Sequence, residues 1–197
     1  MDTENAILSQ PLPTLLPNDQ GWVMPHYEGL SIASLPTTVA ALLGTDLPGA
    51  LPPLPKELWS RWLPGLRRVV LVIFDALGYR LLQRRWAQGE GRPFADLAQA
   101  GGIQPLTSVF PSTTDAALMS LTSGRPPAEH GWLAYTMYLR EFGVAANAIM
   151  LCPMWSHHPD LLLQWGLKPE EVIPVPSLAQ HLSSASIATR ALLAGHF

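Results

Sequence analysis

The sequence predicts an α/β fold, a mostly parallel sheet flanked by helices and incomplete at the C-terminal end. Three observations carry that expectation. Val69-Val70-Leu71-Val72-Ile73-Phe74 is an unbroken apolar run closed by Asp75, the pattern of a strand buried on both faces in a parallel sheet. From residue 68 onward, apolar runs alternate with segments of helical spacing, which argues for parallel neighbours. The chain stops at Gly195-His196-Phe197, just after an expected strand over 185–192, with nothing following to cap an edge or return to the sheet.

Residues 1–65 read as a proline-rich leader, punctuated by Pro11, Pro13, Pro17, Pro25, Pro48, Pro52, Pro53 and Pro55. Within it, 35–43 predicts one short helix, with Pro36 suited to its first turn and Gly44 to its end. Residues 56–63 add a turn or two. The α/β region then runs over 66–197. Its first strand ends at Asp75, helical segments follow over 79–86 and 94–100, and Gly101-Gly102 closes the second. A second strand is expected over 103–110, ordered mainly after Pro105. A small-residue helix over 115–123 ends at Gly124. Residues 144–151 fit a strand or an irregular extended segment, 177–182 a helix and 185–192 a strand.

Composition sets limits on function. Apolar residues make up 48% and charged residues 14% of the chain, a balance that suits a globular body rather than disorder. A formal charge of −3 gives no electrostatic reason to expect a nucleic-acid polymer or an anionic membrane as partner. The single cysteine, Cys152, excludes an internal disulfide and a Cys-x-x-Cys metal site, and it suits a reducing, cytoplasmic setting. The first twenty residues lack the basic start and apolar stretch of a secretory signal. No run reaches the ~18 apolar residues of a membrane helix.

Two positions carry chemistry. Asp75 closes a strand, and ligands of open α/β sheets sit at the carboxyl ends of strands; an acid there is either a helix N-cap or a ligand of metal or substrate. Pro111-Ser112-Thr113-Thr114 leads from the second strand into a helix, where free N–H groups and the helix dipole favour an anion. Thr114 lies at or next to the N-cap of that helix, so capping is its plain reading. The other reading is a nucleophile. If both strands are parallel, Asp75 and Thr114 emerge on the same sheet edge, and a carboxylate-bound dication would activate an otherwise inert hydroxyl. Asp115 opposes an anion site unless its side chain turns away or caps the helix.

The segments Val70-Leu71-Val72-Ile73-Phe74-Asp75-Ala76-Leu77-Gly78, Ser108-Val109-Phe110-Pro111-Ser112-Thr113-Thr114, Leu121-Thr122-Ser123-Gly124 and Pro127-Ala128-Glu129-His130-Gly131 together resemble the type I phosphodiesterase/nucleotide pyrophosphatase family of the alkaline phosphatase superfamily. The likeness covers roughly residues 66–197. It implies an alkaline-phosphatase-like sheet and hydrolysis of phosphodiester or pyrophosphate bonds in a small-molecule substrate at a site of two divalent ions, zinc by resemblance. Asp75 is then a metal ligand, and Thr114 the metal-bound nucleophile that forms a covalent intermediate. His130 corresponds to a family position that shapes the loop after the nucleophile helix and is not a ligand. Nucleotide-cleaving members often carry Pro-Asn shortly after the nucleophile, whereas Ala116 and Ala117 stand here, so that phosphate donor is missing. The family completes its metal site with Asp and His residues from later in the chain. Asp75 and Thr114 cannot hold two dications by themselves, so the 197-residue chain is expected to be inactive alone.

Other residues invite weaker readings. His157 and His158 are adjacent, so regular structure would splay them, and Asp160 lies in the same proline-flanked loop; a solvated pair is the simpler reading. His26 and His181 read as structural or exposed. Trp132, Tyr135 and Tyr138 suit packing or stacking on a substrate ring. Gly-x-Gly-x-x-Gly, Walker A, Gly-x-Ser-x-Gly and the sulfatase Cys-x-Pro-x-Arg are all absent, and Cys152 reads as buried filler. Two readings therefore stand: part of a metal-dependent phosphoester hydrolase, with a phosphomonoesterase or phosphomutase of the same superfamily as a variant, or a non-catalytic α/β piece that binds a partner through an exposed sheet edge. Ligand-bearing Asp and His segments encoded beyond Phe197 would favour the first, and a stop codon there the second.

Overall fold

The structure, a computed structural model, describes residues 2–11, 21–90 and 92–192. It is a mixed α/β arrangement of short helices and a small three-stranded sheet. The helices are α1 (Thr3–Leu8), α2 (Leu35–Leu42), α3 (Tyr79–Ala87), α4 (Arg92–Gly101), α5 (Thr114–Ser123) and α6 (Pro127–His130). The sheet strands β1 (Thr136–Leu139), β2 (Val144–Asn147) and β3 (Cys152–Pro153) follow, and then α7 (Leu161–Gln164), α8 (Pro169–Val172) and α9 (Leu178–Ser184). Two 3-10 turns, Lys56–Leu58 and Ser60–Trp62, occupy the segment expected to add a turn or two.

The leader is where the helix reading does best. Pro36 sits in the first turn of α2, and Gly44 follows its end at φ 77°. α1, which the sequence did not suggest, begins on an Asp2 cap whose carboxylate accepts the Asn5 N–H at 3.0 Å. Residues 26–54 pack against α5 rather than trailing free. Ser31 and Thr107 form an isolated parallel bridge, with Thr107 N–H donating to the Leu30 carbonyl at 2.9 Å and Ile32 N–H to the Thr107 carbonyl at 3.0 Å. The Leu51 N–H reaches the Gly124 carbonyl at 2.8 Å. Ala33, Val109 and Ala116 form the buried heart of this half, with Tyr27, Ile32 and Leu51 against them.

A second cluster lies under the sheet. β1 and β2 pair antiparallel with Met137 opposite Ala146, and β2 pairs antiparallel with β3. Leu139, Ala146, Leu162 and Leu167 are buried beneath, with Phe142, Val144 and Val172 packed on them. The Asn147 carboxamide organises the turn that follows, its Oδ1 accepting the N–H groups of Ile149 and Met150 at 3.0 and 2.9 Å.

The mostly parallel expectation is not met among the described residues: every strand pairing of the sheet is antiparallel, and the one parallel contact among those residues is the bridge of Ser31 with Thr107. The run 69–74 forms no strand and no bridge, and Val70 is 83% exposed, Val72 63% and Phe74 60%. A strand of a parallel sheet needs a neighbour on each edge to satisfy its backbone, and none of the described residues supplies one. Phe74 meets Phe94 on α4 in a T-shaped ring pair, centroids 5.7 Å apart. The segment 103–110 contributes the Thr107 bridge and buried Val109 but no strand. The strand expected over 185–192 does not form either: Ala185 and Ser186 close α9 in a turn, with Ser186 at φ 61° and the Ile187 N–H on the Leu182 carbonyl at 2.8 Å. Of 144–151, only Val144–Asn147 is strand. The closing residues 193–197 lie outside the described residues.

Candidate functional site

α5 begins at Thr114, one residue before the expected 115–123, and its cap is Thr113. The Thr113 Oγ1 accepts the Ala116 N–H at 3.3 Å and donates to the Leu133 carbonyl at 2.7 Å, using both capacities of a hydroxyl. Thr114 is therefore the first helical residue, and its own hydroxyl is not spent on capping. At the other end, Gly124 adopts φ 72° and its N–H closes on the Ser120 carbonyl, a left-handed terminus that glycine accepts without strain. A Cβ at Gly124 would fall 2.9 Å from Ala50 Cβ and 3.0 Å from Leu47 Cδ2, so glycine also lets the leader approach.

Asp75 and Thr114 meet. The Thr114 Oγ1 donates to Asp75 Oδ2 at 3.4 Å, a long bond between residues 39 apart in sequence. The other carboxylate oxygen, Oδ1, accepts the Ala76 N–H at 2.9 Å, and Ala76 has a left-handed φ of 59°. Asp75 is exposed and Thr114 half-buried. The acid does not reach the threonine from the end of a paired strand, as expected, but from a tight turn after a run that forms no strand.

Asp115 is buried, 5% exposed, in the first turn of α5. Burial raises its carboxyl above the usual range, outweighing the opposing pull of its own backbone N–H. Its side chain therefore does not turn outward to solvent.

The contact between Asp75 and Thr114 is a hydroxyl held beside a carboxylate at the mouth of a helix, a geometry that suits oriented attack on an electron-poor centre. As a metal site it is incomplete: no group of three or more His, Cys, Asp and Glu side chains converges among the described residues, and two donors do not fit a pair of dications. His157 and His158 are both exposed, in the loop before α7. His26 and His181 are half-buried. Cys152 is buried, its thiol on the Ser156 carbonyl at 3.4 Å. Trp132 is buried at 5%, whereas Tyr135 and Tyr138 are 49% and 68% exposed.

Sequence reasoning missed the apparatus behind Thr114. His130 is fully buried between the Ser120 hydroxyl and the Trp132 N–H, 3.0 Å from each. The His130-Gly131 pair marks the loop, and Gly131 at φ 72° ends α6 as such a pair requires. Nothing in the spacing of Ser120 and His130 announces their contact. No helix among the described residues is long and apolar enough to cross a membrane. None of the curated proteins and none of the solved structures matches the chain. A protein-family model does, and it suggests a hydrolase of phosphodiester or pyrophosphate bonds in the alkaline phosphatase superfamily. Residues 69–164, which hold both Asp75 and Thr114, match the type I phosphodiesterase / nucleotide pyrophosphatase family, in agreement with the resemblance carried by the motifs.

Proposed function

We propose that this chain carries the nucleophile of a phosphoester hydrolase, with Thr114 attacking phosphorus and Asp75 beside it. The observation that carries the reading is the 3.4 Å contact of Thr114 Oγ1 with Asp75 Oδ2, inside the segment that matches the family. Substrate phosphate would lie at the start of α5, where the helix dipole favours negative charge. Thr114 Oγ forms a bond to phosphorus as the bond to the leaving oxygen breaks. The threonine proton leaves toward the carboxylate, and the departing oxygen takes a proton from water. A water molecule then cleaves the phosphoryl- or nucleotidyl-threonine and frees Thr114. Divalent ions, zinc by family resemblance, would supply charge neutralisation at such a site. Asp75 and Thr114 would be ligands of such ions, but they are too few to hold two.

Accordingly, the 197-residue chain with zinc is expected to cleave a nitrophenyl phosphodiester no faster than background. A form of the protein that supplies further Asp and His ligands should hydrolyse it in a zinc-dependent way, and Thr114→Ala should remove that activity. Retention of full activity by Thr114→Ala would contradict the assignment. The cytoplasm is the proposed setting, from the single cysteine.

One observation favours the second reading, a non-catalytic partner-binding piece: the run 69–74 exposes Val70, Val72 and Phe74 on backbone that forms no strand. Inactivity of such a ligand-complete form, with these residues protected in a complex, would support it.

A further inference from the structure

Thr114 is held in place by a chain of contacts that ends at a histidine. The Thr113 hydroxyl ties the first turn of α5 to the Leu133 carbonyl at 2.7 Å. The neighbouring Trp132 donates its backbone N–H to His130 Nδ1 at 3.0 Å. A backbone N–H only donates, so Nδ1 is bare and the ring proton sits on Nε2. That Nε2 lies 3.0 Å from Ser120 Oγ, and the ring also interacts with the Ala116 backbone, both on α5. One neutral tautomer thus joins the strap 131–133 to the body of α5, and Thr113 joins the same strap to its start.

We propose that His130 is a positioning residue for Thr114, acting through the Trp132–Leu133 strap and the Thr113 cap. Its catalytic meaning rests on the reading of Thr114 as nucleophile; the mechanical coupling does not. Protonation at Nδ1 would set an N–H against the Trp132 N–H, releasing the strap and loosening the cap. Burial holds the imidazole below its ordinary range, against the opposing pulls of the Ala116 backbone and Glu129. The charged groups on the elements around it are Glu129, paired with Arg125 at 2.8 Å, on and just before α6, and Asp115 on α5. The strap itself brings none.

The sign follows. A histidine whose folded pKa is lowered leaves stability intact above its unfolded value. Stability is lost as pH falls below ~6.5 toward the folded value, because the unfolded chain binds the proton first. The test is a pH titration of the ¹⁵N-labelled chain by NMR, with amide exchange measured on His130→Leu and His130→Asn. The Trp132 and Ala116 amides should shift together with the His130 ring, in one step below the ordinary histidine range. His130→Leu should speed Ala116 amide exchange by about tenfold, the worth of one lost hydrogen bond. His130→Asn, whose side-chain oxygen can accept an N–H two residues on, should restore much of the Trp132 protection. An Ala116 amide indifferent to the His130 titration overturns the proposal, as does wild-type exchange in His130→Leu. If that variant does not fold, the wild-type titration decides. These amide readouts stay the same whether or not Thr114 proves to be a nucleophile, so the two readings fail separately.

Discussion

Thr114 and Asp75 touch, yet the molecule supports them in opposite ways. Thr114 begins a helix anchored by buried groups: Ala116 in the core, Ser120 against His130, Gly124 under the leader. Asp75 hangs from an exposed run whose apolar side chains face solvent, and its own turn supplies the single 2.9 Å N–H contact from Ala76. One half of the pair is built into a core, and the other waits on an uncovered edge. The contrast teaches that a shared contact does not mean a shared foundation, and perturbing each side should give very different results.

The largest effect is expected on the Thr114 side. Gly124→Val puts a branched side chain at φ 72°, with its Cβ 2.9 Å from Ala50; a loss of roughly 2–4 kcal/mol is expected in denaturant melts. Thr113→Val removes a cap and the bond to Leu133 and should cost about 1–2 kcal/mol by the same measurement. Asp115→Asn sharpens the comparison through pH. The raised carboxyl of Asp115 favours the fold below ~3.8, and that contribution is lost as pH rises through its folded value. The variant should therefore gain thermal stability relative to wild type at pH 7 and lose the advantage in acid. On the other side, Val72→Lys changes a residue 63% exposed and should move stability by less than about 0.5 kcal/mol. It should also reduce self-association in light scattering, because a charge interrupts an open apolar run. A large destabilisation by Val72→Lys would mean that the run is buried and the contrast false.

What the sequence disclosed follows the same divide. Local signals were faithful: Pro36 and Gly44 bracket α2, the helix read over 177–182 falls on α9, and Gly124 ends α5. Non-local pairing was not legible. The 69–74 run has the composition of a buried strand, but burial depends on neighbours that the run cannot encode. β1 escaped notice because Thr136–Leu139 alternates only weakly and follows a Gly- and Pro-rich loop. At the site, the approach of Asp75 to Thr114 followed from strand ends and motif order, although the strand ends themselves did not form. Thr114 lies next to the cap, one of the two positions read for it; the sequence left Thr113 and Thr114 as chemically equivalent candidates, and the Leu133 carbonyl separates them. His130 was legible as a loop marker, while its neutral tautomer needed the Trp132 N–H.

The central claim is that Asp75 and Thr114 form one half of a metal-assisted phosphoester site. It is tested most directly by titrating zinc into the labelled chain and following Asp75, Ala76 and Thr114 by NMR, in wild type and in Asp75→Asn. Weak zinc binding should shift all three signals together and disappear in the variant. Zinc that leaves these residues unmoved, or binds equally well to Asp75→Asn, would contradict it.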